Sequence, residues 1–130
     1  MKNGNAQLER IFNPSSVAVV GVSGEGFGFG RGIFHALHSI RFGGALHPVN
    51  PKGGEMLGRP IHKSVLDIPG ALDFAIIALP AKLVPGALEE CLEKGAAGAE
   101  ILSAGFRELG TREGFALEEA VQKVARKGLR

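Results

Sequence analysis

At 130 residues, with 45% hydrophobic and 22% charged side chains, the chain has the length of one domain and enough apolar content for a core, but no room for a second domain of similar size. Fifteen basic against 13 acidic residues leave a formal charge of +2, scattered along the sequence; with eight Phe but no Trp or Tyr, no basic and aromatic platform for nucleic acid forms. A lone Cys91 excludes an internal disulfide and a cysteine metal cage, the polar start "MKNGNAQLERIF" has no apolar signal region, and no stretch reaches the ~18 apolar residues of a membrane span, so a soluble cytoplasmic protein is expected.

In chain order, "QLERIF" (7–12) predicts a short helix that stops at Asn13, because Pro14 disfavours helical geometry in the residue before it. "SVAVVG" (16–21) is an apolar run continuous enough for a strand buried on both faces. Six glycines follow, Gly21, Gly24, Gly26, Gly28, Gly30 and Gly32, in a loop whose ordering costs much conformational entropy and therefore needs a compensating use. A helix begins near Arg31 with its apolar face at Ile33, Phe34, Leu37 and Ile40. "ALHPV" (45–49) and "DFAIIAL" (73–79) read as the second and third strands, and Val84, Ala87, Leu88, Cys91 and Leu92 mark the helix after them. "AEILS" (99–103) is the fourth strand, and Leu117, Ala120, Val121 and Val124 mark a last helix. The tail "KVARKGLR" reads as the end of that helix and the opening of a further strand, so the chain is expected to be the N-terminal part of a longer protein. Alternating strands and helices predict a single α/β domain over residues 1–130, a Rossmann-like, doubly wound parallel sheet in three αβα layers.

In such a sheet the ligand lies at the carboxyl ends of the strands, near the switch in strand order. Four segments are expected to meet there: the glycine loop, "NPKGG" after strand two, "LPAK" after strand three and "SAGF" after strand four. Backbone N–H groups of the loop and the positive end of the following helix dipole suit an anion, with Ser23 as a phosphate-binding hydroxyl. No Gly-Lys-Ser/Thr follows, so the loop is not that of a P-loop nucleotidase, and Gly28, Gly30 and Gly32 have Gly-x-Gly-x-Gly spacing rather than the dinucleotide fingerprint. Strand two ends in Asn50, Pro51 and Lys52, where an NAD site would place a carboxylate. An ammonium there points instead to NADP, with its 2′-phosphate, or to coenzyme A, with its 3′-phosphate. Leu79 and Pro80 are expected either to form an apolar ledge for adenine or merely to start the next turn. No catalytic residue and no metal site is expected: His35, His38, His47 and His62 lack ligand spacing, and "GVSGEG" is not a nucleophile elbow.

The segments "FNPSSVAVVGVS" (12–23), "HPVNPK" (47–52), "LGRPIHKSVLDIP" (57–69), "DFAIIALPAKLVPGALEECLEKG" (73–95) and "SAGFRELG" (103–110) together resemble the N-terminal CoA-binding domain of the NDP-forming acyl-CoA synthetases. That family includes ADP-forming acetyl-CoA synthetase and, more distantly, the alpha subunit of succinyl-CoA synthetase. The resemblance implies that Gly21, Ser23, Gly24, Gly28 and Gly30 belong to a loop binding the phosphates of coenzyme A. It further implies that Asn50, Pro51 and Lys52 meet the 3′-phosphoadenosine end, and that Ala78, Leu79 and Pro80 line the adenine and pantetheine path. It departs in the loop "GEGFGFGRG", which is richer in Gly and Phe than the family's usual sequence. The partners implied are a phosphohistidine-bearing flavodoxin-like domain and an ATP-grasp domain or subunit, without which this chain is inactive. An NADP-binding oxidoreductase module and a stand-alone CoA-binding or regulatory protein are the alternative readings.

Overall fold

The computed structural model describes residues 2–26 and 28–130. Its elements are α1 (Lys2–Phe12), β1 (Ser16–Val20), α2 (Phe29–Ser39), β2 (Ala45–Val49), β3 (Glu55–Met56), β4 (Arg59–Pro60), β5 (Phe74–Ile77), α3 (Val84–Lys94), β6 (Gly98–Ile101) and α4 (Arg112–Arg126). Four strands form one parallel sheet in the order β2-β1-β5-β6. The chain therefore winds outward from the centre twice, through α2 to β2 and through α3 to β6, and the order reverses between β1 and β5. β3 and β4 form a small antiparallel hairpin outside this sheet.

β1 is buried at every position, as its unbroken apolar run requires, because the two windings cover opposite faces. Beneath α2, Phe34 packs with Val17, Val19, Val22 and Leu46, and the hairpin closes this core with Met56. On the other face Val84, Leu88 and Cys91 of α3 and Val124 of α4 pack with Ala18, Val20, Ala75 and Ile77. Burial pushes the Cys91 thiol up to about 12, helped by Glu90, so it is an inert apolar side chain. Each helix has a local reason to begin or end. Thr111 accepts the Gly114 N–H at 3.0 Å to start α4, and Gly95, at φ 90, closes α3 in a left-handed conformation.

α1 is held to the rest by polar contacts. The Arg10 Nε donates to Asp73 Oδ1 at 2.7 Å, and its Nη2 donates to the carbonyls of Leu72 and Gly95. Asp73 Oδ2 accepts the Ser15 N–H at 2.8 Å. Partial burial raises the Asp73 pKa, but the Arg10 hydrogen bond and the Ser15 N–H outweigh it and hold the carboxyl below its ordinary value of 3.8.

The outer edge of β2 is occupied rather than open. Pro48 has no N–H to offer, its carbonyl accepts from the His62 N–H at 3.0 Å, and the Asn50 N–H donates to the His62 carbonyl at 2.8 Å. Arg59 Nη1 reaches the next outward carbonyl, that of Leu46, at 3.4 Å. At the other edge, the Arg130 N–H donates to the Ala97 carbonyl at 3.3 Å and the Arg130 carbonyl accepts from the Ala99 N–H at 2.7 Å.

Candidate functional site

The glycine loop leaves β1 through Gly21, whose φ of 110 suits a residue without a Cβ. A Cβ there would stand 2.3 Å from the Ala78 carbonyl oxygen, and one on Gly30 would stand 2.4 Å from the Gly21 carbonyl oxygen. Gly21 and Gly30 thus let the end of β1, the end of β5 and the first turn of α2 touch backbone to backbone. Gly24 is different: a Cβ would meet Glu55 at 3.4 Å, an ordinary contact, so its lack of a side chain answers no packing demand. Gly24 also brings the loop beside Gly54 and the start of the hairpin.

Gly28, in extended geometry, is the N-cap of α2, and no side chain caps it among the described residues. The helix begins two residues before the expected Arg31. Its first-turn N–H groups have no intrahelical acceptor and stand at the positive end of the dipole. Ser23 shapes the loop: its hydroxyl donates to the Glu25 carbonyl at 2.5 Å, and its own carbonyl accepts from Arg31 Nη1 at 2.9 Å.

The turn after β2 is fixed by its first residue. Asn50 Oδ1 accepts the Lys52 N–H at 2.9 Å, and the Asn50 carbonyl accepts the Gly53 N–H at 2.8 Å. Pro51 and Lys52 are exposed on it. After β5, the Ala78 N–H still donates to the Val20 carbonyl at 2.7 Å. Leu79 is buried, and Pro80 turns the chain into a single 3-10 turn over Ala81–Leu83. Ser103 donates its hydroxyl to the Leu79 carbonyl, tying "SAGF" to "LPAK". Glu108 accepts the N–H groups of Gly105 and Phe106 at 2.5 and 2.9 Å, and these bonds lower its pKa while they fix the turn. All four expected segments therefore lie at the carboxyl ends of the strands.

Two clefts lie near this end of the sheet. One, of about 390 Å³, lies against α3 at the ends of β1, β2 and β5; Val20, Val49, Leu79 and Leu83 give it apolar walls, with Pro51 and Lys63 on its lining. The other, of about 880 Å³, lies between the start of α2 and the hairpin, with Gly28, Phe29, Arg31, Met56 and Leu57 among its lining residues. The expected residues are thus divided, Pro51 and Leu79 lining the first and Gly28 the second. Sequence reasoning gave no role to Lys63 or Leu57, although both lie in the segment "LGRPIHKSVLDIP"; Leu57 holds a left-handed φ of 52 in the hairpin turn. Among the described residues no three His, Cys, Asp or Glu side chains gather as a metal site, and no helix is long and apolar enough to cross a membrane.

Residues 15–130 match the family described as "CoA binding domain". The chain is 46% identical to the ADP-forming acetate–CoA ligase I subunit alpha of Pyrococcus furiosus, over 92% of this chain and 27% of that protein. It is 48% identical to the ADP-forming acetate–CoA ligase I of Archaeoglobus fulgidus, over 91% of this chain and 17% of that protein. Among solved structures it superposes on an acetyl-coenzyme A synthetase of Candidatus Korarchaeum cryptofilum, in complex with phosphate and ADP, with a TM-score of 0.84 and 36% identity. That match covers 95% of this chain and 26% of the other. The chain spans roughly a quarter or less of the curated relatives named here. A parallel sheet that reverses its order beside an uncapped helix N-terminus, and a match over nearly its whole length, make this chain a member of the CoA-binding domain family found in ADP-forming acetyl-CoA synthetases.

Proposed function

We propose that the chain binds coenzyme A across the carboxyl ends of β1, β2 and β5, with the pyrophosphate at the N-terminus of α2 and the 3′-phosphate at Lys52. The observation that carries this reading is the uncapped start of α2, reached by a loop in which Gly24 and Gly28 present backbone rather than side chains. The residues fit the ligand part by part. N–H donors suit the pyrophosphate, the apolar cleft beside Leu79 and Pro51 suits the adenine, and the exposed ammonium of Lys52 suits a phosphate on the ribose. Coenzyme A supplies the thiol that becomes acylated; this chain's residues bind and orient it.

In the whole protein the module serves an NDP-forming acyl-CoA synthetase, in which an acid, coenzyme A and a nucleoside triphosphate interconvert with acyl-CoA, the nucleoside diphosphate and phosphate. Its partners are a phosphohistidine-bearing flavodoxin-like domain and an ATP-grasp domain or subunit, which supply the phosphoryl carrier and the nucleotide site. Alone the chain binds without catalysis.

The test is a cycle of two ligands and two proteins. Lys52→Ala is expected to weaken coenzyme A by roughly ten- to hundredfold, the ~1.5–3 kcal/mol of a charge-assisted hydrogen bond, and to leave dephospho-coenzyme A, which lacks the 3′-phosphate, nearly unchanged. Equal losses for both ligands refute the assignment of Lys52. Binding of NADP with no binding of coenzyme A refutes the whole reading.

A further inference from the structure

We propose that Lys63 is a second cation for the phosphate on the adenosine ribose, so that the preference for a 3′-phosphorylated nucleotide belongs to a lysine pair rather than to Lys52 alone. The proposal rests on the reading of this site as one for coenzyme A.

Lys63 is carried to the turn after β2 by the segment that returns along the outer edge of that strand. His62 is bonded to both Pro48 and Asn50, in a parallel bridge with Val49, so the residue after it emerges beside the turn of residues 50–54. There the Lys63 stem lies over Gly53: a Cβ on Gly53 would stand 3.3 Å from its Cε and 3.6 Å from its Cγ. Gly53 has a φ of 69 and hydrogen bonds back to Asn50, as does the N–H of Lys52. Lys52 is therefore part of this fixed turn, and Lys63 lays its stem over the same turn from the neighbouring segment. Lys63 also lines the cleft whose walls include Pro51, Leu79 and Leu83.

Neither lysine forms an ion pair among the described residues, and both are exposed. A phosphate dianion held at this turn gains an attraction from each ammonium that reaches it. A lysine serving only to cover Gly53 with its stem would need no cleft beside it and would be indifferent to the charge of the nucleotide.

The experiment measures dissociation constants of coenzyme A and dephospho-coenzyme A by calorimetry for the wild-type chain, Lys63→Ala and Lys63→Arg. Lys63→Ala is expected to weaken coenzyme A by about tenfold, to leave dephospho-coenzyme A unchanged and to flatten the salt dependence of coenzyme A binding. Lys63→Arg is expected to retain the preference. Equal weakening of both ligands would identify a packing role on Gly53, and no change for either would identify a solvated side chain; each overturns the proposal. If the wild type binds both ligands equally, the lysine pair falls while the coenzyme A reading stands. If it binds neither, both fall.

Discussion

At the scale of single residues, the loop's glycines divide into two kinds. Gly21 and Gly30 are required because a Cβ would enter a carbonyl oxygen of the facing backbone, at 2.3 and 2.4 Å, so they build the site without having to touch a ligand. Gly24 has ordinary space around it and is the residue at which a side chain changes access more than packing. Gly30→Ala is accordingly expected to destabilise the fold by about 1–3 kcal/mol in chemical denaturation, the usual range for overpacking. Gly24→Val is expected to abolish binding of coenzyme A in a chain that still folds. A Gly30→Ala chain as stable as wild type would contradict the contact, and a Gly24→Val chain with full affinity would contradict the loop's role. In the sequence all six glycines look alike. Which one faces backbone and which faces open space depends on the partner segment, and Ala78 lies far along the chain from Gly21.

At the scale of elements, what was legible followed from hydrophobic pattern. The run at Val17–Val20 and the helical faces at Phe34 and at Leu88 and Cys91 bury the residues that their periodicity selects, whereas Ile40, expected on the Phe34 face, is the C-cap of α2 and is 74% exposed because the helix has ended. Strand ends were overextended: "DFAIIAL" pairs as Phe74–Ile77, because the chain turns at Ala78–Pro80 to edge the cleft although its residues remain apolar. The β3–β4 hairpin was not legible. Its strands have two residues each, and its turn uses Leu57 and Gly58, both at positive φ, where Asn-Gly is the common signal. α1 starts at Lys2 although "KNGNA" is poor in helix formers; long-range bonds from Gln7 and Arg10 hold it. The bond from Arg10 makes a prediction about the element. Asp73→Asn removes a charged acceptor from both Arg10 and Ser15, and is expected to cost about 2 kcal/mol of stability at neutral pH. Because the folded pKa of Asp73 lies below 3.8, its contribution is complete above that value and is lost as the pH falls through the lower folded one. Comparing the denaturation of wild type and variant down that range checks the sign: the gap between them must close with acid.

At the scale of the whole molecule, binding and stability are one quantity. A ligand that binds only the folded chain stabilises it, by roughly 2.7 kcal/mol at a hundred times its dissociation constant, which for a domain of this size raises the melting temperature by several degrees. Coenzyme A is expected to produce that rise and NAD none, since the turn after β2 offers a lysine where NAD needs a carboxylate. A shift with NAD as large as with coenzyme A, in a thermal melt at matched concentrations, would remove the basis for choosing between them. The occupied edge of β2 has a consequence for how the molecule meets others of its kind. Pro48 withholds a donor, and His62 and Arg59 occupy the carbonyls of Pro48 and Leu46, so a stray strand finds few groups to pair with on that side of the main sheet. Recruitment through β2 is thereby blunted, because an incoming strand would have to displace the His62 segment before it could pair along that edge.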